Sequence, residues 1–477
     1  MSIRRSVPWL CVIPLLLCPL PAFAAGGGGD SSAILLVLAL ATAVAVAYLL
    51  THFVVDWLQR LFLVATSIEY LALGILVGLI LFPEAAFLGD GGWLRENTWL
   101  GRLPMPSAGE TFALLAPLIA LAAGWIGLLY GMALDVGTLF QRRDGALRLA
   151  LLEGVLVLVP VAAASYGIML AFAPAGAEPP TSQMWLCAGV LGTTAWAGST
   201  SAMDVVRRRY NVVGEILTTL VRSARFSDML AILVFGVLFA TFHDLATPGL
   251  VEEAPVQRLP TPVEWSVISL GLGAGLGLLF AWYLDEDDSD TGTLLALVGI
   301  IAFASGAAYF LELSEITINL VLGMVLVNVS RSGAKVRRTL QGTYKPMSLL
   351  LLLLAGFLWD VPPLELTAVL TIAVIAIRLL GKVAASWVAS MASALRPDLA
   401  RGLIGQGDVA IAMAITFKLV YDIGLSEFDG TFSGGLVEAA YTAILIGVTV
   451  HEIVAPRVLK GLLVDAGEIR DETVRGG

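Results

Sequence analysis

Charge is scarce in this chain. Only 14% of its 477 residues are Asp, Glu, Lys or Arg, where a soluble globular domain carries about 25%. A large soluble α/β enzyme needs polar faces at regular intervals, and the sequence does not supply them. Cysteine is equally rare: Cys11, Cys18 and Cys187 are too scattered for a disulfide framework or a zinc site. The three histidines, His52, His243 and His451, have no metal-ligand spacing. Alternating ten-residue segments of the kind that build membrane β-barrels are missing. So are a nucleophile–base pair and a phosphate-cradling glycine loop. An enzyme is therefore not expected, and neither is a cofactor or a nucleic-acid partner.

Apolar sequence is abundant instead, at 58% of the chain, and it comes in long runs. A helix that crosses a bilayer needs about 20 such residues. That ruler gives thirteen spans: 31–55, 61–82, 110–134, 145–173, 184–203, 217–242, 264–283, 291–309, 314–329, 345–360, 364–392, 402–422 and 434–455. The fold class predicted is an all-α polytopic membrane protein whose main partner is the lipid bilayer. Residues 1–24 read as a signal peptide: Arg4 and Arg5, an apolar run, then Ala22-Phe23-Ala24 as a cleavage site. The alternative is a short uncleaved first helix, against which Pro14, Pro19 and Pro21 argue.

Charge bias orients the spans independently. With the N-terminus outside, the loops expected in the cytoplasm hold Arg142, Arg143 and Arg148, then Arg207 to Arg209, then Arg331, Lys335, Arg337, Arg338 and Lys345. The external loops hold only Arg95, Arg102 and Arg258. This obeys the positive-inside rule. It places the C-terminus in the cytoplasm and suggests a bacterial-type inner membrane.

Polar residues inside spans are costly, roughly 2.5–3.5 kcal/mol for a central charge on insertion scales. Four clusters carry them. GTTAWAGSTSAMD, Gly192 to Asp204, crowds hydroxyls and glycines, including Thr200 and Ser201, into the fifth span. It suits either an interrupted helix lining a polar cavity or a close contact of small residues. Ser227-Asp228 opens the apolar part of the sixth span, and Arg225 shares the Asp228 face. A transport site or a structural Asp228–Arg225 ion pair both fit. Arg378 lies about 14 residues, roughly 21 Å, into the eleventh span, near mid-bilayer, where it is expected to pair with an acid on a neighbouring helix. Lys382, one turn on, is placed to snorkel. GLIGQGDVAIAMAI, Gly402 to Ile415, sets Gln406 and Asp408 among glycines at the start of the twelfth span, as a second helix break or a flexible helix start.

Spans five and twelve are seven apart, so they run in opposite directions. Two discontinuous helices at inverted positions are the pattern of a secondary transporter with an inverted repeat and a midplane site. Near the end of the last span, His451 and Glu452 are candidates for pH modulation or a simple interfacial pair.

Several stretches then resemble one family. THFVVDWLQRLFLVATSIEYLALGILVG is similar to its early helix pair, AGSTSAMDVVRRRYNVVGEILTTLVRSARFSDMLAIL to its helix break and aspartate helix, AIRLLGK to its basic helix, and GLIGQGDVAIAMAI to its second break. HEIVAPRVLKGLLVDAGE resembles the end of its transport domain. The family is the monovalent cation/proton antiporter superfamily. The resemblance implies a core of residues 145–242 and 364–455, a scaffold of 31–134 and 291–360 that forms a homodimer, a linker helix 264–283, and a short tail 456–477. It implies that Asp228 carries Na+ or K+ and H+ in turn. Thr200 and Ser201 then lie at the first crossing, Gln406 at the second, and Arg378 steadies the core. Ser227 stands where the family carries Asn, Asp or Gln, and Asp408 where it often carries Glu. A sodium-coupled solute symporter and a non-transporting membrane sensor are the competing readings.

Overall fold

In hydrocarbon every backbone N–H and C=O must find a partner within the protein, and a helix does this within one segment. The computed structural model follows that rule. It describes residues 68–81, 108–135, 137, 145–173, 181–246, 260–286, 290–331, 333–360, 362–391, 395–429 and 431–469, and those residues form helices and turns without a strand. The signal peptide, the span 31–55 and the last eight residues lie outside the described residues.

The helices, in chain order, are α1 (Ile68–Leu81), α2 (Ala108–Met132) and α3 (Ala146–Ala171), which includes a π-helical turn at Gly154–Leu158. After them come α4 (Thr181–Trp196), α5 (Ser201–Tyr210), α6 (Glu215–Thr241), α7 (Pro262–Glu286) and α8 (Asp290–Phe310). The series ends with α9 (Glu315–Val329), α10 (Gly333–Gln341), α11 (Tyr344–Phe357), α12 (Leu364–Met391), α13 (Asp408–Asp429) and α14 (Thr431–Asp465). Among the described residues seven helices are long and apolar enough to cross a bilayer, in α2, α3, α6, α7, α8, α12 and α14. Large apolar side chains such as Val155, Trp282, Ile372, Leu380 and Trp387 stand exposed on them, as a lipid-facing surface requires.

Two sets of contacts organise the bundle. On one side α2 packs against α9, α1 against α11, and α7 against α9. On the other α3, α4 and α6 pack with α12, α13 and α14. Lipid gives helices no hydrophobic reason to associate, so close packing at small residues does the work. A Cβ on Gly131 of α2 would lie 2.1 Å from the Leu320 carbonyl oxygen of α9, and one on Gly356 of α11 would lie 2.1 Å from that of Leu71 in α1. Gly131→Ile is therefore expected to force α2 and α9 apart and to cost about 1–3 kcal/mol or more. Thermal melting in detergent reads this, with Gly271→Ile as control, because nothing lies within 4 Å of a Cβ there. Equal melting of the two variants would remove the close approach as a stabilising contact.

The last helix runs through Pro456, the first residue of the expected tail, as far as Asp465. The reason is burial. Leu459, Leu462 and Leu463 pack with Leu217 and Leu220 of α6 in a second apolar cluster, which outweighs the one backbone bond a proline forgoes. Just beyond, the Glu468 carboxylate accepts the N–H groups of Ile216 (2.7 Å) and Leu217 (3.3 Å). These are first-turn donors of α6 with no partner in their own helix, and an anion there also suits the helix dipole.

Candidate functional site

Two interruptions of helix make the site. α4 stops at Trp196, and α5 begins at Ser201. The cause is local. Thr193 and Thr194 turn their hydroxyls back to carbonyls of the preceding turn, Thr194 to Val190 at 2.8 Å, and Gly198, Ser199 and Thr200 then offer little to hold a helix. The second interruption follows the 3-10 turn Leu399–Gly402 and lasts until α13 starts at Asp408. The two unwound strands of backbone touch: the N–H of Gly407 donates to the Gly198 carbonyl at 3.1 Å. Glycine suits that contact, since a Cβ on Gly407 would come within 2.8 Å of Ser199 Oγ and displace it.

Unwinding frees carbonyls in a place that water does not reach, and Arg378 satisfies them. From α12 its guanidinium donates to Ala195 (2.8 Å) and Ala197 (3.2 Å) on the first interruption. It also donates to Ile404 (2.6 Å) and Gly405 (2.8 Å) on the second. The expected acidic partner is therefore wrong. At a helix break the carbonyl dipoles themselves are the negative groups, and a planar fork of five donors fits four of them.

Lys382 does not snorkel. It is buried and pairs with Glu153 of α3 at 3.0 Å. Ser227 donates to the same carboxylate at 2.9 Å, so its hydroxyl serves Glu153 rather than the neighbouring aspartate. Glu153 stands where α3 widens into its π turn, a geometry that recurs at functional sites. Trp196 fills the widened groove and donates its indole N–H to the Ala150 carbonyl at 3.1 Å.

Asp228 is fully buried on α6. Its Oδ1 accepts the Gly198 N–H at 2.9 Å, while Oδ2 has no hydrogen-bond partner. Arg225 does not pair with it: that side chain is exposed in the wall of a cavity. Asp408, at the start of α13, is an electrostatic neighbour of Asp228. Tyr130 of α2 donates to Asp408 at 3.3 Å, and Tyr344 and Ser348 also face it. Tyr130, Tyr344 and Thr200 line the cavity, whose volume is about 580 Å³. The cavity thus ends at the tyrosines that face Asp408, and Arg207, Arg208, Arg225 and Arg337 stand in its wall.

The remaining candidates gather behind the crossing. Ser201 bonds to Glu452 of α14 and lies 2.8 Å from Ser199 Oγ. Gln406 donates to the Thr194 carbonyl at 2.9 Å, and its amide oxygen faces His451 Nδ1 at 3.1 Å. His451 and Glu452 are both buried; they are part of the crossing, not an interfacial pair. The fold therefore brings Asp228, Asp408, Thr200, Ser201, Gln406, Arg378, His451 and Glu452 to one place. Lys382 and Ser227 flank it through Glu153, and Arg225 stands apart. Sequence reasoning missed Glu153, Tyr130 and Tyr344. Glu153 had a visible signal, a lone acid inside LALLEGVLVL; the tyrosines had none.

No family model matches the sequence, and no curated protein matches it. Among solved structures the chain is similar to that of the sodium proton antiporter MjNhaP1 from Methanocaldococcus jannaschii at pH 8. The TM-score is 0.60 and the identity 14%, over 90% of this chain and 99% of that one. The structure of the same antiporter from an electron-microscopy map gives 0.58 and 14%, over 91% and 98%. Likeness at that identity is likeness of fold: the chain is a multi-pass, all-α membrane protein built on the fold of a sodium proton antiporter.

Proposed function

We propose that the chain is a secondary antiporter that exchanges a monovalent cation, Na+ or K+, for protons by alternating access, with Asp228 as the shared carboxylate. One observation carries the reading. A fully buried carboxylate keeps one oxygen on the unwound backbone of Gly198 and leaves the other without a partner. An unsatisfied buried acceptor costs about 1–3 kcal/mol; Glu153, Asp408 and Glu452 nearby also keep one oxygen unbonded, and Asp228 is set apart from them by its bond to the unwound backbone. An aspartate that alternates between a proton and a dehydrated cation needs one free. It cannot hold both, so competition for it couples the two flows. Asp408 supplies a second carboxylate beside it, and Thr200 and the carbonyls of the unwound segments supply neutral oxygens. The likeness of fold to a sodium proton antiporter supports the same reading; the loop charge bias supports an N-terminus outside and a cavity that opens to the cytoplasm, and the homodimer rests on the family resemblance of the sequence.

A second reading is favoured by the cavity, whose volume of about 580 Å³ is in the range that holds small organic ligands: a sodium-coupled solute symporter. Proton flux separates the two. Vesicles holding the protein and a trapped pH dye are acidified inside and pulsed with Na+, K+ or Li+. Exchange predicts an alkaline jump for at least one cation, without any organic solute present. Silence to all three cations, with solute uptake driven by sodium, would establish the symporter instead.

A further inference from the structure

The cavity that leads toward the carboxylates has the wrong sign for a plain cation path. Arg207 and Arg208 of α5, Arg225 of α6 and Arg337 of α10 all stand in its wall, against one acid, Asp204. All four guanidiniums are exposed, and among the described residues none of the four forms an ion pair or hydrogen bond. An arginine excess on the cytoplasmic side is ordinary for a membrane protein, but that bias does not aim side chains. Arg209 and Arg338, the chain neighbours of Arg208 and Arg337, satisfy the bias without lining the cavity. The four that do line it come from both sides: α5 packs on α14, and α10 on α2 and α9.

We infer that this cavity is a binding site for a phosphate-bearing anion, held between Arg337 on one wall and Arg207, Arg208 and Arg225 on the other. The chemistry follows from the donors. Guanidinium forks match phosphate oxygens two at a time. Several uncompensated cations around one water-filled space repel one another, and a multiply charged anion relieves that repulsion. The volume, about 580 Å³, takes a diphosphate with an organic group attached or the headgroup of an anionic lipid. A bound anion would tie α10 to α5 across the space between the two helix sets. Slowed exchange would then follow, a consequence that rests on the antiporter reading; the binding itself does not.

The test measures binding without transport. The full chain in neutral detergent at low salt is titrated calorimetrically with inorganic diphosphate. Saturable binding is expected, weakened about tenfold or more in Arg208→Gln and in Arg337→Gln, and unaltered in Arg209→Gln and Arg338→Gln. All four residues are exposed, so the variants are expected to melt as the parent does, and Arg207→Gln serves if one does not. Repeating the titration in nanodiscs separates the sources. Equal affinity in phosphatidylcholine and phosphatidylglycerol discs identifies a soluble anion. Binding lost only in phosphatidylglycerol identifies a lipid headgroup already seated among the arginines. No saturable heat in detergent, or binding that Arg208→Gln and Arg337→Gln leave intact, overturns the site.

Discussion

Asp228→Asn is expected to reduce cation-driven proton flux to that of protein-free vesicles while leaving the fold in place. Asparagine keeps the oxygen that accepts the Gly198 N–H at 2.9 Å and occupies the same volume, so the contact between α6 and the first interruption survives. What disappears is the capacity to hold a proton or to neutralise a cation. A neutral amide in a fully buried place also avoids the desolvation of a charge. Melting in detergent is therefore expected to stay within about 1 kcal/mol of the parent, or to rise. Asp408→Asn provides the comparison. That side chain is only half-buried and is approached by the Tyr130 hydroxyl, so its loss should alter cation affinity before it abolishes exchange. Parental flux in Asp228→Asn would hand the role of shared carboxylate to Asp408 or remove it from both.

The second large effect belongs to Arg378→Ala. Four backbone carbonyls, of Ala195, Ala197, Ile404 and Gly405, lose their donor at once. Each buried acceptor left bare costs about 1–3 kcal/mol, and because solvent and neighbours recover part of that, a loss on the order of 4 kcal/mol is expected. Arg378→Lys sharpens the result. An ammonium keeps the charge but concentrates its donors at one point, so it can reach one interruption and not both. It should fall between parent and alanine. A lysine variant that melts like the parent would mean that charge alone holds the crossing and that the fork is unnecessary. An alanine variant that melts like the parent would mean that the guanidinium does not hold the crossing at all.

Parts of this arrangement were legible in the sequence for physical reasons. Hydrocarbon admits few backbone solutions, so run length alone located the seven described helices that are long and apolar enough to cross a bilayer. The interruptions were visible too, because glycine and hydroxyl residues at mid-membrane weaken a helix whatever surrounds them. Depth along the chain put Arg378 at the centre. Its partners were not legible, since a reading by opposite charges looks for carboxylates and overlooks carbonyls that exist only once a helix has unwound. Lys382 was misplaced for a related reason: its partner, Glu153, sits on a helix that otherwise reads as lipid-facing. Tyr130 and Tyr344 could not be found, because hydropathy does not say which face of one helix meets which face of another. The apolar residues Leu459, Leu462 and Leu463 carry the last helix past the apolar run that ended its expected span at residue 455.

The clasp that Glu468 makes on Ile216 and Leu217 gives the far end of the polypeptide a mechanical hold on α6. Asp228 lies thirteen residues after Glu215, the first residue of that helix, roughly 20 Å along the same rigid rod. A pull or a twist delivered to residues 466–469 is passed along that rod to the buried aspartate, with no intervening loop to absorb it.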